Sequence, residues 1–270
     1  MTGTFDPKVT GTFPPKVTGT QTAQKETNFM QQLYYDLHLH SCLSPCGDDE
    51  STPGNIVGMA YVKGLQVIAL TDHNTCKNCP AFLKIASDFG ITAIPGMELT
   101  TAEEVHVVCL FPTLEDAMAF DAYVEPRILP IKNKPDKWGN QIIINEDDEP
   151  CGTFDTLLIS ATDISFDAVY DLLEEYHGVM IPAHIEKSTF SLIANLGFVP
   201  PDAKFKCFEL KNMARLHEIV NANPILKNCN VITDSDAHQI DLINEPVNTL
   251  LVEENTVQSV LQALTRPVVL

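Results

Sequence analysis

The sequence predicts an α/β barrel, and three observations carry that expectation. From Leu33 onward short apolar, β-branched runs alternate with helical patterns. The runs have the near-continuous hydrophobicity of strands buried on both faces. Their ends collect histidines and carboxylates, as the catalytic rim of a barrel does. A length of 270 residues is enough for one such barrel.

The strand-like runs are 34–40, 67–71, 92–95, 105–111, 179–182, 205–210 and 230–233. Helical patterns cover 52–63, 79–89, 114–129, 165–176, 189–195 and 214–221, with a last helix near 257–264. Thr52 reads as an N-cap followed by Pro53 in the first turn. Gly64, Gly90 and Gly178 directly follow three of the helices, as C-terminal stops do. The alternation of seven strands with helices predicts a closed or nearly closed ring.

Two stretches interrupt it. Residues 132–156, rich in charge and proline, read as an insertion or long loop with a short strand at 142–144. Residues 198–201 (Phe-Val-Pro-Pro) are a second loop. Neither has the character of a boundary, so 31–270 is expected to be one domain. Residues 2–9 and 10–17 form a direct repeat of period eight, too short to build a solenoid. Residues 1–30 are therefore expected to be a disordered or loosely packed tail.

Composition narrows the function classes. The net charge is -19, from 36 acidic and 17 basic residues. Such a surface repels polyanions, so long nucleic acid and anionic membrane are not the expected partners. A small anionic substrate remains compatible, because bound divalent cations dominate the field locally. No apolar run is long enough for a membrane span, and no basic stretch leads into an apolar core as in a secretory signal. Eight cysteines without such a signal point to reduced thiols and a cytoplasmic location.

The chemistry begins at His38-Leu39-His40. Alternation along a strand puts both imidazoles on one face and sends Leu37 and Leu39 into a core. Later runs repeat the theme: Thr71-Asp72-His73, Gly96-Met97-Glu98, His106 at the start of the fourth run, Ala183-His184, and Asp234-Ser235-Asp236-Ala237-His238. Six of the eight histidines thus fall at or beside a strand. Only His177 and His217 lie in helical patterns, where a surface or structural role is expected. A set this rich in imidazole and carboxylate has room for two or three divalent ions. Glu98 is the natural bridge, since each carboxylate oxygen can take one metal. Water on such a metal has its pKa drawn towards about 7, and paired ions can hold the oxygens of a phosphoryl displacement.

The order Asp-x-His-x-His-Ser, Thr-Asp-His, Gly-x-Glu, two later single histidines and Asp-x-His resembles the PHP (polymerase and histidinol phosphatase) family of metal-dependent phosphoesterases. Its signature segments run from Asp36 to His238. The resemblance implies a distorted (β/α)7 TIM-like barrel with up to three metals: zinc, iron or manganese. It implies that His38, His40, Glu98 and Asp236 hold the first metal, and that Glu98, His106 and His184 hold the second. A third would lie between His73, His238 and the residue six places after His40. That residue is Cys46, where relatives often carry His or Asp. A thiolate suits zinc or iron and is a poor partner for manganese or magnesium. His38, His40, Glu98, His184 and Asp236 become the expected catalytic set, with metal-bound hydroxide attacking a small nucleotide, sugar or amino-alcohol phosphomonoester. Histidinol phosphate, nucleotide 3′,5′-bisphosphates and short oligoribonucleotides are alternative substrates, and a non-catalytic metal-binding module is the alternative role.

Several residues keep two readings. Cys42, Cys46, Cys76 and Cys79 are separate reduced thiols, or Cys46 alone is a ligand, or they form a small cysteine-rich cluster. Cys109, Cys151, Cys207 and Cys229 read as structural. Asp72 and Asp234 either orient imidazoles or cap and solvate locally. Lys187 and Arg215, after the fifth and sixth runs, are the candidate phosphate-binding cations.

Overall fold

The computed structural model describes residues 30–268. The tail expected at 1–30 lies outside them apart from Met30. In chain order the first elements are β1 (Gln31–Leu39), α1 (Pro53–Lys63), β2 (Val67–Leu70), α2 (Cys79–Phe89), β3 (Thr92–Thr100) and β4 (His106–Leu110). Next come α3 (Leu114–Val124), α4 (Pro135–Trp138), β5 (Ile142–Ile144), β6 (Pro150–Thr153), α5 (Phe166–Glu175) and β7 (Val179–Pro182). The last are α6 (Leu192–Leu196), β8 (Cys207–Glu209), α7 (Leu216–Ala222), β9 (Asn230–Ile232), β10 (Thr249–Val252) and α8 (Val257–Thr265).

One curled six-stranded sheet has the order β10-β1-β2-β3-β4-β7, and β8 and β9 form a parallel pair. The ring is completed by single contacts at one rim. Ile185 N donates to Glu209 O at 3.0 Å, joining the end of β7 to β8. Leu39 and Ala237 form a lone parallel bridge, joining β1 to the segment after β9. All seven expected barrel strands are present, and the mixed α/β fold is the distorted barrel that the sequence predicts.

Two apolar layers hold it. The inner cluster takes Tyr35, Leu37, Val67, Ala69, Ile94, Val108, Ile181, Cys207 and Ile232 from the strands, and Val260 and Leu264 from α8. That helix lies by the strand starts: Asn230 Nδ2 donates to Leu264 O at 2.7 Å. The opposite rim is thereby left for the site. The outer cluster packs α1, α2, α3 and α5 against outward strand residues such as Ile68, Leu70, Leu99 and Val107. Fully burying each such Leu or Ile contributes on the order of 1.5–3 kcal/mol.

Local signals explain the helix limits. Thr52 Oγ1 accepts from Asn55 N at 3.2 Å with Pro53 behind it, and Gly64 stops α1 at φ 78. Gly90 ends α2 in the same way, at φ 67. Gly178 works differently from the expectation, because His177 takes the left-handed turn, with φ 55. A Cβ on Gly178 would come within 2.9 Å of Leu173 and Phe111, so this glycine serves close packing.

Three further features depart from the sequence reading. β3 runs on past Pro95 to Thr100 and forms an antiparallel hairpin with β4, pairing Glu98 with Val108 and Thr100 with His106, where the barrel reading implies parallel neighbours. β10 was not foreseen and pairs antiparallel with the start of β1. Leu37 and Leu39 enter different cores, the inner and outer clusters, because the β1–β2 register shifts between Asp36 and Leu39. A strict alternation would have kept them together.

The 132–156 insertion contains α4 and the β5–β6 hairpin and braces the loop after β1. Ile142 N donates to Cys42 O at 2.9 Å, and Asn78 bridges to Ile142 O and Ile144 N at 3.1 and 2.9 Å. Gly139 passes so close that a Cβ would stand 2.0 Å from Pro45 O, at a φ of +99. Backbone against backbone leaves nothing to yield. Gly139→Ala is expected to destabilise the fold by about 3 kcal/mol or more, measured by urea unfolding. A neutral result would show that the insertion does not brace this loop.

Candidate metal centre

The centre is built around Glu98, fully buried on β3. Its Oε1 lies 3.2 Å from His38 Nε2, 2.8 Å from His106 Nδ1 and 3.3 Å from His184 Nε2. Its Oε2 lies 3.3 Å from His40 Nε2 and 2.9 Å from His73 Nδ1. Asp236 Oδ1 closes the group at 3.6 Å from His38 Nε2 and 3.5 Å from His40 Nε2. β4 runs opposite to β3, which is why His106 reaches this rim from the start of its strand rather than the end.

Three groups of donor atoms lie within 4.8 Å of one another: His38, His40, Glu98 and Asp236; His73, Glu98 and His106; and His40, His73 and His238. The first has the composition that the resemblance implies. In the second His73 stands where His184 was expected, with His184 Nε2 still beside the shared Glu98 oxygen. In the third His40 accompanies His73 and His238, its ring 4.2 Å from that of His238. Cys46 lies exposed at the edge of this group, outside the three donor sets, with His73 and His238 as its electrostatic neighbours. Desolvation opposes its ionisation, yet the His73 charge and interactions with both imidazoles bring the thiol down to about 5.

The residues present fit metal ions. His38 Nε2, His40 Nε2, His73 Nδ1, His184 Nδ1 and Glu98 Oε2 are buried and have no hydrogen-bond partner of acceptable geometry. Orphaned buried donors and acceptors of this kind are costly unless something satisfies them. The field also favours a cation. Burial opposes charging His38, but Glu98, Glu209 and Asp236 raise its pKa well above the usual value. His73 is raised in the same sense by Cys46 and Glu98. Burial lifts the Glu98 carboxyl, but His106, His38 and His73 bring it well below its usual range. His106 is the exception: burial dominates and lowers it to about 4.

Surrounding residues set which nitrogen faces inward. His38 Nδ1 bonds Glu209 Oε2 at 2.8 Å, which leaves Nε2 free to face the centre. His40 Nδ1 bonds Ser44 Oγ at 3.0 Å, and that hydroxyl donates to Asp72 Oδ1 at 2.7 Å. Asp72 therefore orients an imidazole, but through Ser44, and on His40 rather than on its neighbour His73. Asp234 does not orient one: its Oδ1 accepts from Leu37 N at 2.6 Å, while Asp36 accepts from Ser235 N and Asn244 N at 3.0 Å. These two carboxylates stitch β1 to the segment that carries Asp236. Burial, with the Glu209 and Asp36 charges, holds the Asp234 carboxyl well above its usual range.

The candidate cations separate. Lys187 Nζ donates to Asp236 Oδ2 at 3.0 Å and is 41% exposed, so it stands at the mouth. Lys211, not singled out from sequence, donates to Ser235 O beside it. Arg215 is turned instead to a surface pair with Glu218 at 2.9 Å. An ion pair three residues along the chain satisfied it more simply than the rim. The four-thiol cluster does not form: Cys42 packs with Ala81 and Ile144, whereas Cys76 and Cys79 bond Gly96 O at 3.2 and 3.6 Å. His177 and His217 are exposed, His177 pairing with Asp116 at 2.9 Å.

Glu209 is the main residue that sequence reasoning missed. Its signal was a lone carboxylate at the end of the sixth apolar run, the one barrel strand given no metal ligand. Strain gathers here too: Asn74, His184, Phe190 and Asp236 all have positive φ.

Fold and site together define a barrel protein whose strand ends converge on clusters of imidazole and carboxylate that could hold metal ions. The chain belongs to the PHP domain family, a family of metal-dependent phosphoester hydrolases, with the PHP domain matching residues 36–181. His184, Asp236 and His238 lie beyond the matched span, yet the fold brings them to the same rim. The chain is 36% identical over 76 residues to an uncharacterized protein of Methanocaldococcus jannaschii, covering 25% of this chain and 44% of that one. It is 38% identical over 79 residues to the 5′-3′ exoribonuclease of Haemophilus influenzae, covering 28% of each. The match thus spans less than half of either relative. Among solved structures, the lesion-specific endonuclease Q of Pyrococcus furiosus superposes with a TM-score of 0.62 at 18% identity, over 87% of this chain and 56% of that chain. That likeness establishes the shared fold.

Glu209→Gln is expected to keep the fold and weaken metal binding about 10–100-fold by loosening the His38 imidazole. Equilibrium dialysis with zinc and with manganese measures it. Unchanged affinity for both would remove Glu209 from the centre.

Proposed function

We propose that this chain hydrolyses a small phosphomonoester. The observation that carries the reading is the buried Glu98 carboxylate, encircled by five imidazoles with Asp236 beside them. In this reading His38, His40, Glu98 and Asp236 hold one divalent ion, and Glu98, His106 and His184 hold a second. His73, His238 and Cys46 hold a third, the thiol favouring zinc or iron over manganese. When bound, such ions supply the positive charge that activates water and neutralises phosphoryl oxygens.

The chain's own residues do the rest. Glu209 and the Ser44–Asp72 pair fix the inward nitrogens of His38 and His40. Lys187, half-exposed at the mouth, offers a point charge to the incoming phosphate. The buried rim excludes bulk water, which strengthens each of these interactions. In the net reaction the oxygen of water bonds to phosphorus, the ester P–O bond breaks, and the alcohol departs with a proton. Residues 31–270 form the catalytic unit in this proposal. All eight cysteines are unpaired, which supports a reducing, cytoplasmic setting. Among the described residues no helix is long and apolar enough to cross a membrane.

The similarity to the Haemophilus exoribonuclease favours a second reading, a nucleotide 3′,5′-bisphosphate or short oligoribonucleotide as substrate. Side-by-side turnover of mononucleotides, bisphosphates and short RNA separates the two.

The test is hydrolysis of an aryl phosphate by metal-loaded protein. Chelation is expected to abolish turnover. His38→Ala, Glu98→Gln and Asp236→Asn are each expected to lower it about a thousandfold or more while far-UV circular dichroism stays native. Full turnover by Glu98→Gln would sink the bridging role. A metal-replete wild type inert towards every phosphate ester would make the domain a non-catalytic module.

A further inference from the structure

Phe190 behaves unlike most large apolar residues. Its side chain is 42% exposed although it sits beside the metal centre. Its backbone has a φ of +53, a strained conformation for an aromatic residue. Its ring stacks on His106, with centroids 4.9 Å apart and planes 23° apart. The strain is held from both sides: His106 N donates to Phe190 O at 3.1 Å, and Ser191 Oγ donates to Lys187 O at 2.6 Å. The result is a fixed aromatic surface separated from Glu98 by one imidazole, since His106 Nδ1 is 2.8 Å from that carboxylate. Lys187, three residues earlier in the same loop, bonds Asp236 on the other side of the centre.

We propose that Phe190 is the stacking platform for a planar group esterified to the substrate phosphate. It would set a preference for nucleotides and aryl phosphates over alkyl phosphates. The proposal rests on the phosphoesterase reading for where the phosphate sits. An acidic chain of net charge -19 gains little from a run of backbone phosphates. A neutral π-face attracts a base without that penalty. Every base has such a face, so the platform favours nucleotides as a class and does not choose among bases. The competing role is a lid that merely shields His106 from water.

The experiment is calorimetric binding of two non-hydrolysable probes to metal-loaded protein: a carbon-bridged adenosine phosphonate, and methylphosphonate. Wild type is expected to bind the first about tenfold or more tightly than the second. Phe190→Leu and Phe190→Ala lose that preference with methylphosphonate affinity and metal content unchanged, and Phe190→Trp retains it. Equal affinity of wild type for both probes overturns the platform. So does a retained preference in Phe190→Leu, or a parallel loss of both affinities together with metal. Wild type that hydrolyses no ester would refute the phosphoesterase reading alone, since the binding comparison still decides the platform.

Discussion

A single carboxylate with no access to water, that of Glu98, is the constraint from which the rest of the rim follows. Burying a charged carboxylate is expensive unless donors or cations surround it. Here five imidazoles do so, and they arrive from the ends or starts of three strands, β1, β4 and β7, and from the loop after β2. Each imidazole is buried in turn and needs its own partner, which makes Glu209, Ser44 and Asp72 part of the same requirement. The demand for compensation spreads outward until it reaches backbone. Leu37 N bonds Asp234, and Ser41 N bonds Asp72 at 2.7 Å.

Local rules are kept where the barrel is only being held together and are broken where it is being aimed. Helices α1, α3 and α8 begin with Thr caps, and α1 and α2 end with left-handed glycines. At the rim the β1 register slips between Asp36 and Leu39, and four non-glycine residues take positive φ. Departures gathered at one place, in a chain otherwise locally consistent, are the pattern of a functional site rather than of poor design.

Much of this was legible in the sequence because both the strands and their terminal ligand residues are local signals. The seven runs and the Thr52–Pro53 start needed only periodicity and position, whereas the grouping of His38, His40, Glu98 and Asp236 came from the family resemblance. The missing parts depend on which strands become neighbours. Glu209 meets His38 only because closing the ring brings β8, with β9 between them, near β1, at a separation of 171 residues. Asp234 looked like a partner for an imidazole, but its nearest need was the unpaired amide of Leu37 in a different strand. β10 carries a weak alternating pattern and exists because the start of β1 has an open edge to pair. Arg215 illustrates the converse: sequence order placed it near the rim, whereas Glu218 on the same helical turn offered the closer charge.

Charge explains how such a chain can take an anion at all. Acidic residues outnumber basic ones 36 to 17, and the field around the centre raises the pKa of His38, His40 and His73 despite their burial. The pocket therefore seeks positive charge, and Lys187 at its mouth is already engaged by Asp236. Without divalent ions, protons on these imidazoles and the ammonium groups of Lys187 and Lys211 offset Glu98, Asp236 and Glu209, and divalent ions in their place would bring more positive charge to an incoming phosphate. Cations and anionic substrate should consequently bind with mutual reinforcement, each raising the affinity of the other by the same factor. The buried carboxylates that draw protons onto these imidazoles are the groups that would draw divalent cations, so the acidic composition works through the centre rather than against it.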